Sequence, residues 1–146
     1  FGSGLRNLYH FNRGGLLYHL HRYCYFRSPT HSVGFKQGIK SMLLNLCYNA
    51  ITACPSENGI IRLKAKQLEK TVVLIVSDNG YGIPKESLPQ ITEPFYRVDK
   101  ARSREHGGEG LGMALCKQIA AAHNAEMTVE SEIGEGTTVS VIFTTP

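Results

Sequence analysis

Two asparagines, Asn45 and Asn49, stand four residues apart within an otherwise apolar stretch. On a helix such a pair projects from one face, with Cβ atoms about 6 Å apart. Their amide oxygens are hard, neutral ligands of the kind Mg²⁺ accepts beside phosphate oxygens, although a lone pair of asparagines more often caps or bridges elements. Asp78 follows the apolar run Val72 to Val76 and precedes Gly80 and Gly82. A carboxylate placed there can accept a hydrogen bond from an exocyclic amine, a way to select adenine over guanine. Taken alone, Asp-Asn-Gly reads as a turn. Further on, Arg97, Lys100, Arg102 and Arg104 concentrate positive charge, and Gly107, Gly108, Gly110 and Gly112 lead into a helical pattern. Backbone N–H groups and the dipole at a helix start favour phosphate. In this order the segments describe a nucleotide pocket. It is not a P-loop, because no Gly-x-x-x-x-Gly-Lys-Ser/Thr occurs. Nor is it a dinucleotide fold, because the second glycine cluster has the wrong spacing and follows no predicted strand.

Several elements must hold these groups. Ile39, Leu43, Leu46, Ala50 and Ala53 recur at steps of four and three and predict the core face of a helix over 39–53, ended by Pro55. Leu44, Cys47 and Ile51 widen its apolar surface, leaving Asn45, Asn49 and Thr52 as a narrow polar stripe. Ile60 to Ala65 and Val72 to Ser77 read as a hairpin joined by the polar segment 67–70. A second helix is expected from Gly112 to about His123, burying Leu115, Ile119 and Ala122, followed by strands Met127 to Ser131 and Thr138 to Phe143 around a Gly134-Glu135-Gly136 turn. The economical packing is a sheet with helices on one face.

At 146 residues the chain is one domain's worth, and its 42% hydrophobic and 19% charged content reads as globular. The run Val72 to Val76 is far short of a membrane span, so no transmembrane segment is expected. Cys24, Cys47, Cys54 and Cys116 form no Cys-x-x-Cys pair, which points to a reducing compartment. The start at Phe1 suggests a piece of a larger protein. From Phe1 to Ser56 six basic residues meet no acidic ones, whereas the remainder has ten basic against twelve acidic. That basic head is modest by the standard of nucleic-acid binders, and nucleic acid is not the expected partner. Within it, 16–26 reads equally as strand or helix, and His19-x-His21-x-x-Cys24 as a metal site is outweighed by ordinary packing. Residues 1–33 therefore form an atypical basic segment of unassigned role, with the readable domain spanning 34–146.

The ordered set resembles the ATP-binding domain of sensor histidine kinases, within the wider Bergerat-fold family shared with gyrase, mismatch-repair ATPases and related chaperones. Asn45 to Asn49 matches the N box, Asp78 to Ile83 the first G box, Phe95-Tyr96-Arg97-Val98-Asp99 the F box, and Gly108 to Gly112 the second G box. The flanks Asp99 to Arg104 and Gly134 to Thr138 are similar too, so the resemblance covers roughly 34–146.

It implies a two-layer α/β sandwich, a mixed β-sheet covered on one face by helices. It implies ATP and Mg²⁺ as cofactors, with Asn45 and Asn49 as the catalytic positions: Asn49 on Mg²⁺, Asn45 on the phosphates. Asp78 would read the adenine amine, helped through water by Thr137, with Gly80, Gly82 and Ile83 around the base. Phe95, Tyr96, Arg97, Lys100, Arg102, Arg104, Gly108, Gly110, Leu111 and Gly112 would supply a mobile lid and the phosphate loop.

Two departures, Thr52 where the family often has Lys and Gly34-Phe35 where an acidic residue is usual, predict weaker phosphate binding. None of His10, His19, His21 or His31 sits in a phosphoacceptor box. The implied activity is donation of the γ-phosphoryl group to a histidine on a separate domain. The implied partners are that domain and a response regulator, in a homodimeric parent of which this piece is monomeric. The implied location is cytoplasmic, as at the inner end of a membrane-bound sensor. The alternatives are an anti-sigma-type serine kinase on the same fold and a non-catalytic ATP-binding interaction module.

Overall fold

The computed structural model describes residues 6–11, 33–98 and 109–144, with side chains from Lys36 onward. Strand β1 (Arg6–Phe11) precedes helix α1 (Val33–Ala53), the hairpin β2 (Ile61–Leu68) and β3 (Thr71–Asp78), helix α2 (Gly112–Ala122), and the hairpin β4 (Ala125–Glu132) and β5 (Gly136–Thr144). The sheet runs β1-β2-β3-β5-β4, with β2, β3 and β5 interior. Every pairing among the described residues is antiparallel. The expected mixed sheet is therefore corrected to an antiparallel one: both hairpins pair locally, and β5 returns beside β3 in the opposite sense. The two-layer α/β sandwich stands.

Both helices pack on one face of this sheet. Met42, Leu43, Leu46, Cys47 and Ala50 of α1 meet Cys116 and Ala120 of α2 above Val76, Val139, Val141 and Phe143. Met42 and Val141 are fully buried, each contributing about 1.5–3 kcal/mol by leaving water. Leu44, expected to widen the buried face, is 40% exposed. On β4 the helix-facing Met127 and Val129 are half-buried, whereas Glu126, Thr128 and Glu130 are exposed, the alternation of a sheet wetted on one side.

Helix α2 differs from expectation in the face it buries. Of the three residues expected inside, Ile119 packs against the core, whereas Leu115 is 40% exposed and Ala122 is also outside; Ala114, Cys116 and Ala120 are buried instead. Small side chains let α2 lie close to α1, so close that the Cys116 Sγ lies 3.6 Å from Met42 O. Burial pushes that thiol's pKa up to about 12, leaving it inert. Beyond the helix, Asn124 takes a left-handed φ of 51°, a conformation Asn adopts readily after a helix end.

The β2–β3 hairpin is longer than its apolar pattern. Leu68 pairs with Thr71, leaving only Glu69 and Lys70 in the turn. Its tip is exposed, so nothing there enforces alternation. β1 adds residues from the atypical head to the sheet edge, with Phe11 opposite Ile61. The ambiguous 16–26 stretch and the His19/His21/Cys24 cluster lie outside the described residues.

Candidate functional site

Asn45 and Asn49 come from the turn of α1 that faces the start of α2. The Asn45 amide is fixed by its Nδ2, which donates to Ser41 O at 2.9 Å. A Cβ on Gly112 would stand 3.4 Å from Asn49 Oδ1 and 3.5 Å from Asn45 Oδ1. Both amide oxygens therefore lie beside the first turn of α2, whose N-cap, Leu111, makes no side-chain cap. Uncapped N–H groups and two neutral oxygens are together suited to phosphate with a hard cation. Thr52 brings no charge here; its hydroxyl donates back to Asn49 O at 2.9 Å.

Asp78 closes β3 opposite Thr137 of β5. Its Oδ1 accepts from Gly80 N at 2.8 Å and Thr137 N at 3.3 Å. Among the described residues Oδ2 carries no hydrogen bond. Burial pushes the Asp78 pKa up, and the two backbone N–H groups partly oppose that. The carboxylate is an acceptor held at a cost.

The following loop is stitched on two sides. Asn79 Oδ1 accepts from Ile60 N at 2.6 Å, its Nδ2 donates to Asn58 O at 3.0 Å, and Tyr81 N donates to Ala53 O at 3.1 Å. On the other side Gly134 N donates to Tyr81 O at 2.9 Å, and Ile83 N to Ser131 Oγ at 2.8 Å. Gly82, at φ 74°, lies so near Glu132 O that a Cβ would overlap it. Only glycine fits there.

At the far side Phe95 N donates to Gly110 O at 2.9 Å, joining the two ends of the segment between them. Phe95 is 72% exposed and left-handed at φ 68°, while Gly110 has φ 74°. A side chain on Gly110 would meet Tyr96 O at 2.9 Å. Tyr96 Oη donates to Ser87 Oγ at 3.0 Å. Arg97 Nε and Nη2 are buried and have no partner among the described residues. Buried guanidinium nitrogens without a partner are costly and suit an anion.

These pieces surround one cleft of about 570 Å³. Of the sequence-selected residues, Asn45, Asn49, Asp78, Gly82, Ile83, Tyr96, Arg97, Gly110, Leu111, Gly112 and Thr137 line it, whereas Gly80 and Phe95 do not. Lys100, Arg102, Arg104 and Gly108 lie outside the described residues. Sequence reasoning missed the apolar walls Val76, Ile91, Met113 and Val139. Val76 and Val139 are direct cross-strand partners, so inward alternation could have found them; Ile91, in a turn-rich segment, gave no periodic signal. Asn79 was also missed, being read as part of a turn. Among the described residues no His/Cys/Asp/Glu cluster could hold a metal, and no helix is long and apolar enough to cross a membrane.

Comparison with known proteins follows the same pattern. The family described as histidine kinase-, DNA gyrase B- and HSP90-like ATPase matches residues 34–146. The chain is 43% identical over 108 residues to the sensor histidine kinase YkoH of Bacillus subtilis, covering 74% of this chain and 23% of that protein. It is 37% identical over 109 residues to the sensor histidine kinase WalK of the same organism, covering 74% and 18%. The chain thus spans about a fifth of the length of these relatives. Among solved structures, a mycobacterial sensor histidine kinase, MprB, aligns with TM-score 0.66 and 26% identity over 75% of this chain and 73% of that one. Full-length ShkA in complex with AMPPNP aligns with TM-score 0.62 and 27% identity, covering 76% of this chain and 22% of that one.

Proposed function

We propose, from the premise that this chain belongs to the family of histidine kinase-, DNA gyrase B- and HSP90-like ATPases, that it binds Mg-ATP in the cleft and donates the γ-phosphoryl group to a histidine on a separate domain. The observation that carries the nucleotide is the pairing, in one cleft, of Asp78 at one end with Asn45, Asn49 and the uncapped start of α2 at the other. The similarity to sensor histidine kinases supports histidine as the acceptor and a response regulator as the downstream partner.

Asp78 accepts the adenine amine while Val76, Val139, Ile91 and Met113 exclude water from the base. The N–H groups of α2 and the Arg97 guanidinium, whose Nε and Nη2 have no partner among the described residues, balance phosphate charge, the positioning and neutralising work that dominates phosphoryl transfer. Mg²⁺ fits the amide oxygens of this site, Asn49 foremost, and when bound would neutralise charge on the phosphates. The attacking imidazole comes from a separate domain; among the described residues no histidine lines the cleft.

Thr52, uncharged and committed to its own helix, favours a second reading, a non-catalytic ATP-binding module. Calorimetric titration tests the part the two readings share: ATP with Mg²⁺ should bind clearly better than GTP, and equal affinities would remove the adenine assignment. Phosphoryl transfer to an acceptor hairpin separates them, since only the kinase reading expects it.

A further inference from the structure

We propose that Ser131, which does not line the cleft, sets its base preference by fixing the direction of the Thr137 hydroxyl. The inference rests on the adenine reading of the Asp78 end. Ser131 of β4 is the cross-strand partner of Thr137. Its Oγ meets three groups: Ile83 N at 2.8 Å, Gly136 O at 2.8 Å and Thr137 Oγ1 at 2.9 Å. The Ile83 N–H can only donate, and the Gly136 carbonyl can only accept. A serine hydroxyl has one hydrogen, and it is spent on Gly136. The third contact therefore uses the hydrogen of Thr137, whose Oγ1 is left with lone pairs alone.

Thr137 and Asp78 both line the cleft and stand opposite each other in register. With Asp78 ionised, Asp78 and Thr137 together offer side-chain oxygens that accept and no hydrogen that donates. A 6-aminopurine supplies the hydrogens they need, directly or through a water. A 6-oxopurine sets a carbonyl against them. Removing the Ser131 hydroxyl frees Thr137 to turn its own hydrogen into the cleft, where it would serve a carbonyl. Ser131 is thus a positioning residue for specificity.

The test compares the affinities of ATP and inosine triphosphate, each with Mg²⁺, for the wild-type chain and its variants. Ser131→Ala should cut the ATP preference by about 5–10-fold, the worth of one hydrogen bond of changed polarity. Ser131→Thr, which keeps the hydroxyl, should retain it. In a Thr137→Val background Ser131→Ala should change the preference no further, since there is no hydroxyl left to direct. If Ser131→Ala does not fold, Ser131→Cys carries the same comparison. Equal losses for both nucleotides would show a merely structural role and overturn the proposal. A wild-type chain that binds both equally would instead overturn the adenine reading, and this inference with it.

Discussion

At the residue scale the account turns on Asp78, a carboxyl whose pKa is raised by burial. Such a group favours the folded state below its ordinary value of 3.8, and that contribution is lost as pH rises through the raised folded value. Asp78→Asn keeps an acceptor for Gly80 and Thr137 but removes the buried charge. The variant should therefore melt higher than wild type near neutral pH, with the gap closing as pH falls below the carboxylate range. Thermal unfolding across pH checks this; a gap that widens on acidification would contradict it. The same change should weaken ATP binding by about 1–3 kcal/mol, because a charged acceptor is replaced by a weaker or mispaired one. Asn49→Ala should abolish the enhancement of ATP binding by Mg²⁺ while altering stability by no more than about 0.5 kcal/mol, since Asn49 is only half-buried. Titrations with and without Mg²⁺ decide it, and an undiminished response would move the metal role elsewhere. These polar groups were legible in the sequence because their types and order are unusual. The apolar walls were not, because Ile91 and Met113 look like any core residues until the cleft is built.

At the element scale, the loop between α1 and β2 is held against the end of β3 by Asn79, through Ile60 N and Asn58 O. Asn79→Ala leaves the Ile60 N–H without its acceptor and should lower stability by about 1–3 kcal/mol, seen as a lower denaturant midpoint with unchanged slope. An unchanged midpoint would mean that the turn holds by backbone bonds alone. Helix α1 was legible because its long apolar face repeats at steps of three and four. In α2 the same periodicity placed Ile119 against the core but misassigned Leu115: it is the more hydrophobic residue, yet the close approach to α1 selects Ala114, Cys116 and Ala120. Hydrophobicity ranks side chains by transfer energy, whereas helix contacts select them by size. The hairpin tip at Leu68 was cut short in the sequence reading for a related reason, since strand pairing there continues without burial.

At the scale of the whole molecule, the five strands and two helices among the described residues bring Asp78 and the start of α2 to one cleft. The sandwich and its two hairpins were legible from the order of elements; the antiparallel pairing of β5 with β3 was not, because apolar runs such as Val72 to Val76 do not reveal strand direction. The proposed reading has this cleft, with no histidine among its described lining residues, donate a phosphoryl group to a histidine brought to it. The most direct test of that claim is to incubate the chain with γ-labelled ATP, Mg²⁺ and the acceptor hairpin of a sensor histidine kinase, then follow label on each. The account predicts acid-labile phosphate on a hairpin histidine, lost in Asn49→Ala and Gly110→Ala, and none on the chain alone. Stable label on this chain, or no transfer to the hairpin despite tight ATP binding, would contradict it.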